Sequence, residues 1–275
     1  MDNLKEPKKG KSKKGLPAPW GLTWLWIFAG IIILLLVLFL AFWAAHVFGE
    51  PEVAAEEILK RVDEVVNAAK DREARIKVII VDRQGKEETR EMISFQKGSD
   101  RRLVKFTSPA EHRGIGFLSL PNEVMYVYLP AYGRTRRIAS HVKNTKFAGT
   151  DFTYEDMEAV RYAEKWTPRF LREDAGQYVL ELKPKEGTKT QYSRIIMWVR
   201  SDIFYPSRVE LYDRADRLGK VLHLEKMEKI GNYWVSRQMT MEDVKENRKT
   251  ILAFEEIKLD SGLKDEVFTE RYLMR

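Results

Sequence analysis

A chain of 275 residues without a single cysteine has no disulfide framework, no thiolate chemistry, no cysteine-bound metal and no lipid-modified N-terminal cysteine. Its formal charge of +7 is concentrated at one end. Six lysines against Asp2 and Glu6 leave +4 within residues 1–19, so everything after carries only +3 and offers no electrostatic reason to expect nucleic acid.

Lys5, Lys8, Lys9, Lys11, Lys13 and Lys14 share residues 1–19 with glycine and proline, a composition that predicts a disordered basic tail. Residues 20–48 follow, 29 positions without Lys, Arg, Asp or Glu. Roughly 20 apolar residues cross a hydrocarbon core, so this stretch predicts one transmembrane helix with some tilt. Trp20, Trp24, Trp26 and Trp43 suit its two interfaces, and the lysine flank holds the N-terminus in the cytoplasm. The rival reading is a cleaved secretory signal, which has an apolar core of about 7–15 residues and small residues before the cut. The run here is about twice that length, and cleavage after Ala44 or Ala45 would put Phe42 or Trp43 where a small residue belongs. Either reading sends residues 49–275 across the membrane. The expected arrangement is a single pass with the main domain outside the cytoplasm.

Residues 52–69 predict an amphipathic helix, because Ile58, Leu59, Val62, Val65, Val66 and Ala69 recur at three- and four-residue spacings. From Arg75 the period becomes two: Ile76-Val78-Ile80, Ile93-Phe95, Val104-Phe106, Leu180-Leu182, Ile195-Met197-Val199, Val209-Leu211, Leu222-Leu224 and Val235-Met239-Met241. Turn signals such as Arg83-Gln84-Gly85 and Ile230-Gly231-Asn232 separate them. The expectation is a mainly β domain of about ten or eleven short antiparallel strands, apolar on one face and therefore curved into an open barrel. No βαβ rhythm appears, and residues 107–170 break the alternation.

Nothing here assembles into catalysis. His46, His112, His141 and His223 lack metal-ligand spacing, no serine sits in a GxSxG elbow, and Gly114-Ile115-Gly116 lacks the third glycine of a phosphate loop. No metal, cofactor or enzymatic activity is expected. Two features stand out. Phe95, Phe106, Phe117, Met125, Met197, Leu211, Met239, Met241 and Phe254 give apolar bulk on strands, as a cavity lining for acyl chains or as an ordinary packed core. Arg134, Arg136, Arg137, Lys143 and Lys146 form a basic run, either a docking patch for anionic headgroups or a partner, or a solvated turn.

Residues 113–157 resemble the outer-membrane lipoprotein-sorting proteins, the LolA-like group. The resemblance rests on Arg113-Gly114-Ile115-Gly116-Phe117-Leu118, then on Met125-Tyr126-Val127-Tyr128-Leu129-Pro130-Ala131-Tyr132-Gly133-Arg134-Thr135-Arg136-Arg137-Ile138, and on Lys146-Phe147-Ala148-Gly149-Thr150-Asp151-Phe152-Thr153-Tyr154-Glu155-Asp156-Met157. Within these runs Arg113, Gly114, Pro130, Gly133, Arg134, Arg136, Arg137, Gly149, Asp151, Phe152 and Tyr154 are the candidate motif and docking positions. The resemblance implies an unclosed antiparallel barrel around a hydrophobic cavity with a helical lid, for which residues 52–69 are the candidate. It also implies a carrier binding acyl chains of lipoproteins or other lipid, with no catalytic residues. The group's soluble carriers shed a signal peptide, whereas this chain reads as anchored. The resemblance therefore implies a place in the bacterial inner membrane, single-pass with the main domain in the periplasm, and a role in taking or handing over lipid there, alone or beside a transporter, for sorting to the outer membrane. The alternative is an anchored β interaction module, an adaptor of an inner-membrane transporter complex without its own ligand.

Overall fold

The computed structural model describes residues 34–39 and residues 51–275 apart from Val160. Residues 34–39 are helical and exposed. The basic tail and the rest of the expected span at 20–48 lie outside the described residues. Among the described residues, no helix is long and apolar enough to cross a membrane.

Thirteen strands form one antiparallel sheet: β1 (Asp71–Val81), β2 (Glu87–Lys97), β3 (Arg101–Ser108), β4 (Gly116–Leu120), β5 (Val124–Leu129), β6 (Arg134–Arg137), β7 (Trp166–Asp174), β8 (Gln177–Pro184), β9 (Tyr192–Arg200), β10 (Tyr205–Asp213), β11 (Leu218–Ile230), β12 (Tyr233–Asp243) and β13 (Arg248–Leu259). Two meanders, β1 to β6 and β7 to β13, are zipped together where β1 pairs with β13. The outermost strands β6 and β7 do not pair, so the barrel is unclosed, and residues 138–165 connect its two edges.

The count exceeds the ten or eleven expected, and burial explains why. β4 has four of its five residues buried, because both of its faces are covered. A strand covered on both faces shows no period of two. β6 is the opposite case, four residues almost wholly exposed, with no apolar signal at all.

The cover on the outer face is the C-terminal segment, a 3-10 turn at Asp265–Phe268 followed by a short helix at Glu270–Met274. Val267, Phe268 and Leu273 pack there with Phe95, Leu103 and Leu118, and the Tyr272 ring meets Phe95 edge-on at 6.0 Å between centroids. Gly116 permits this approach: a Cβ on it would lie 2.6 Å from Leu273 Cδ1 and 3.1 Å from the Val104 carbonyl oxygen. Gly116→Val is therefore expected to cost about 1–3 kcal/mol by overpacking. Its melting temperature should fall by at least a few degrees, and an unchanged one would show that the C-terminal segment is loosely held.

The inner face carries the larger core. Ala74, Ile76, Val78 and Ile80 of β1 point to it at the two-residue spacing a strand dictates. The helix Pro51–Val66 closes against β7, β10 and β12 through Ala55, Ile58, Leu59 and Val62, one stripe at helical spacing. Burying Ile58, Leu59 and Val62 contributes roughly 1.5–3 kcal/mol each. The helix stops before the expected residue 69, where the Asn67 side chain donates to the Asp63 carbonyl at 2.9 Å.

Candidate functional site

One cavity collects residues from strands that a flat sheet would hold far apart. Val104 and Phe106 of β3 share it with Tyr192 and Ile195 of β9. Seven strand-to-strand steps separate β3 from β9 in the sheet order, roughly 33 Å if flat. The sheet is therefore curled around the cavity, whose volume is about 260 Å³. That sits at the lower edge of small-molecule sites, which run from roughly 300 Å³ upward.

The nine apolar candidates divide three ways. Phe106, Leu211, Met239, Met241 and Phe254 line the cavity. Phe117, Met125 and Met197 are wholly buried in the packed core beside it. Phe95 faces the other way, under the C-terminal segment, and the residues of β2 that line the cavity are Met92 and Ser94. The covered outer face makes Ile93 and Phe95 apolar for its own reasons, so alternation chose the wrong parity.

The run at residues 146–157 plugs the barrel from inside. Phe147 stacks on Phe106 at 5.6 Å and lies 6.2 Å from Phe117 and 6.0 Å from Tyr154. Phe152 also lines the cavity. Asp151, fully buried, pins the loop to β13: its N–H donates to Thr250 Oγ1 at 2.9 Å, and the Thr250 hydroxyl donates back to its carboxylate at 2.7 Å. Lys146 Nζ lies 3.2 Å from Asp151, 2.8 Å from Asp243 and 2.6 Å from Glu246. Arg248 Nε is 2.9 Å from Asp151 but misaligned for a hydrogen bond, so that contact is charge attraction alone. These three carboxylates are close enough together to grip a metal, but an ammonium already sits among them. Gly149, at φ +76°, turns its carbonyl to accept from Arg248 Nη2 at 2.7 Å.

The basic run separates by side chain. Lys143 is buried with Glu123 at 3.0 Å, and Lys146 is committed as above. Arg134, Arg136 and Arg137 lie exposed on the edge strand β6, with the Arg136 guanidinium 4.3 Å over the Tyr132 ring. Neither Asp151 nor Glu155 pairs with them; Glu155 instead accepts from the Thr190 hydroxyl and the Gln191 N–H. Arg113, Gly114, Pro130 and Gly133 shape the neighbouring turns. Arg113 Nε donates to the Thr107 carbonyl at 3.1 Å, and a Cβ on Gly114 would touch Pro130 Cγ at 3.0 Å. Gly133, at φ +59°, closes the 3-10 turn Pro130–Tyr132.

At the helix end the cavity turns polar. Asp63 accepts from the backbone N–H groups of Tyr162 and Ala163, each at 2.8 Å, capping the short helix Tyr162–Lys165. Burial pushes the Asp63 pKa up against those two hydrogen bonds. Burial and the nearby Asp63 charge push the Tyr162 phenol up to about 12.

Sequence reasoning missed one row of residues. Arg72, Gln96 and Arg102 sit directly opposite one another across β1, β2 and β3. Gln96 Oε1 accepts from Arg72 Nη2 at 2.8 Å and from Arg102 Nη2 at 3.0 Å, and both arginines line the cavity. Burial and the adjacent Arg72 bring the Arg102 pKa down to about 10.

A curled, unclosed antiparallel sheet around an apolar cavity, with a helix packed across it, is the architecture of the LolA-like lipoprotein-sorting proteins. A LolA superfamily protein from Nitrosomonas europaea shares this fold at 23% identity and a TM-score of 0.68, over 79% of this chain and 98% of that one. An outer membrane lipoprotein-sorting protein domain from Vibrio parahaemolyticus is 26% identical over 82% of this chain and 100% of its own, with a TM-score of 0.73. A DUF1329 family protein from Desulfovibrio piger is 31% identical over 81% of this chain and 99% of its own, with a TM-score of 0.76. A family model described as an uncharacterized protein matches residues 98–275. The chain belongs to the DUF1329 family, on a LolA-like fold. No protein of curated function matches it.

Proposed function

We propose that the protein is an anchored, periplasm-facing carrier or acceptor that binds the acyl chain of a lipoprotein or other lipid in its barrel. It would serve sorting toward the outer membrane from a fixed position at the inner membrane. The observation that carries this reading is the apolar cavity enclosed by the curled sheet, lined by Met239, Met241, Leu252 and Phe254 from adjacent strands. Methionines suit variable chains because their unbranched side chains adapt in shape. The reading of residues 20–48 as the anchor rests on their length without charge and on the lysines before them.

The adaptor reading draws on a different observation, the Phe147 and Phe152 rings that fill part of the barrel from within. Native mass spectrometry of the full chain, gently extracted from its own membrane, separates the two. A lipid-sized mass increment is expected; a bare chain under conditions that preserve other lipid complexes favours the adaptor.

The exposed arginines of β6 fit docking on an anionic surface, since an exposed guanidinium keeps its planar fork for phosphate or carboxylate. Changing Arg134, Arg136 and Arg137 together to Gln is expected to leave the melting temperature within a degree or two. Binding to phosphatidylglycerol vesicles should weaken, most visibly at low salt. Unchanged vesicle binding with a large loss of stability would mean that the strand is structural.

A further inference from the structure

The cavity's polar end holds two positive charges that the protein does not neutralise. Among the described residues, no carboxylate lies within 4.0 Å of the Arg72 or the Arg102 guanidinium. Arginines elsewhere on the sheet do find carboxylates: Arg169 reaches Glu181 at 2.8 Å, and Arg208 reaches Glu210 at 2.8 Å. Four carboxylates do line the cavity, and each is committed elsewhere. Asp63 caps the short helix, Glu155 holds Thr190 and Gln191, Asp156 takes Lys220 at 2.6 Å, and Glu158 takes Lys165 at 2.6 Å.

The hydrogen-bond supply is equally incomplete. Each guanidinium presents five N–H donors. Arg72 places one on a protein acceptor, and Arg102 places two, on Gln96 and on the Met157 carbonyl. Because one Gln96 oxygen accepts from both, two charged nitrogens lie within roughly 6 Å of each other. Arg72 and Arg102 are both half-buried, and like charges brought together where water is scarce destabilise a fold unless something compensates. An oxyanion held between two forks compensates both the charge and the unused donors, with the bidentate geometry for which guanidinium is suited.

The rest of the cavity states what that anion is attached to. Val104 lies two residues along β3 from Arg102, and Ile76 four residues along β1 from Arg72, so apolar wall begins directly beside the charged row. We infer that Arg72 and Arg102 form a head-group site for a free anionic amphiphile, whose carboxylate or phosphate sits between the two guanidiniums while its single chain lies along the apolar wall. This rests on the lipid-cavity reading and narrows it. The acyl chains of a lipoprotein are amides and esters without an anionic head of this kind, so the site selects a fatty acid or an alkyl phosphate instead.

The test is competition on the full chain in a non-ionic detergent, read by native mass spectrometry. Equal amounts of hexadecanoate and hexadecanol compete in one tube, and hexadecyl phosphate and hexadecanol in a second. Wild type is expected to carry either anion over the alcohol by about tenfold or more, the effect of a charge-assisted pair. The Arg72→Met and Arg102→Met double variant should carry acid and alcohol equally. Its melting temperature should be no lower than that of wild type, since two half-buried like charges without a counter-ion have been removed. Whichever anion wins the larger margin identifies the head group. Equal uptake of acid and alcohol by wild type overturns the head-group site and leaves the cavity reading standing. Uptake of neither overturns both. Thermal protection by inorganic phosphate as large as that by hexadecyl phosphate would mean a small-anion site, and would overturn the amphiphile.

Discussion

Asp151→Ala is expected to lower the stability of the β domain by about 3 kcal/mol, the usual consequence of removing one partner from a buried ion pair. The Asp151 carboxylate is fully buried and faces two cations, Lys146 and Arg248, as well as the Thr250 hydroxyl. Deleting it leaves Arg248 without its nearest carboxylate and the Thr250 hydroxyl without its acceptor, and unpins the loop carrying Phe147 and Phe152. For a unit of this size the melting temperature should fall by about 6–12 °C. Asp151→Asn retains an acceptor for Thr250 while losing the charge, and should fall in between. The same network sets an acid limit. Burial draws the Asp243 carboxyl upward, but Lys146 and the Glu246 N–H outweigh it, so its pKa lies below the ordinary 3.8. A depressed carboxyl contributes stability that is complete above its unfolded value and is lost as pH falls through the folded one. Thermal melts should therefore be insensitive to this group at neutral pH and lose its contribution only below about pH 4. A single-digit fall in melting temperature below 3 °C for Asp151→Ala would mean that the loop is held by its aromatic rings alone.

What could be read from the sequence followed from how many residues a signal needed. The helix stripe at Ile58, Leu59 and Val62 is local, and it packs inward as its spacing dictates. The alternation in β1 is local too. The choice of face in β2 was not, because it depended on whether the C-terminal segment, more than 150 residues away, covers the other side. β4 disappeared from view for the same reason. The basic run shows a further limit: composition placed Arg134 and Lys146 in one cluster, but β6 is an exposed edge while Lys146 meets acids from β12 and the β12–β13 turn. The row Arg72, Gln96 and Arg102 was invisible for a purely geometric reason. Only the register of three strands brings it together. Taken singly, each is a polar residue in an alternating strand, which reads as solvated face. The motif at residues 146–157 was legible as unusual because it lacks any period, and an aperiodic run with buried aromatics and acid is what an internal plug looks like.

Met197→Asp and Met239→Asp are expected to part company, and the contrast tests whether the barrel contains a cavity that matters. Met197 lies between Leu180 and Val209 on neighbouring strands and is fully buried in the packed core. A carboxylate there has no cation and no water, and burying it unpaired costs several kcal/mol, enough to lower the melting temperature by 10 °C or more or to prevent folding. Met239 has Leu224 and Leu252 as its strand partners but lines the cavity and is only half-buried. An aspartate at that position turns its charge into the cavity, so it should cost about 1–2 kcal/mol and leave a folded protein. That protein should bind a hexadecanol chain at least about tenfold more weakly, because the carboxylate must be desolvated beside the chain. Met239→Leu, which keeps the apolar wall, should bind as wild type does. The measurements are melting temperature and alkyl-chain uptake by native mass spectrometry, taken on the same samples. If Met239→Asp unfolds as completely as Met197→Asp, the barrel is packed solid and the carrier reading falls. If it folds and binds unchanged, the chain lies elsewhere, and the wall formed by β11, β12 and β13 is not its site.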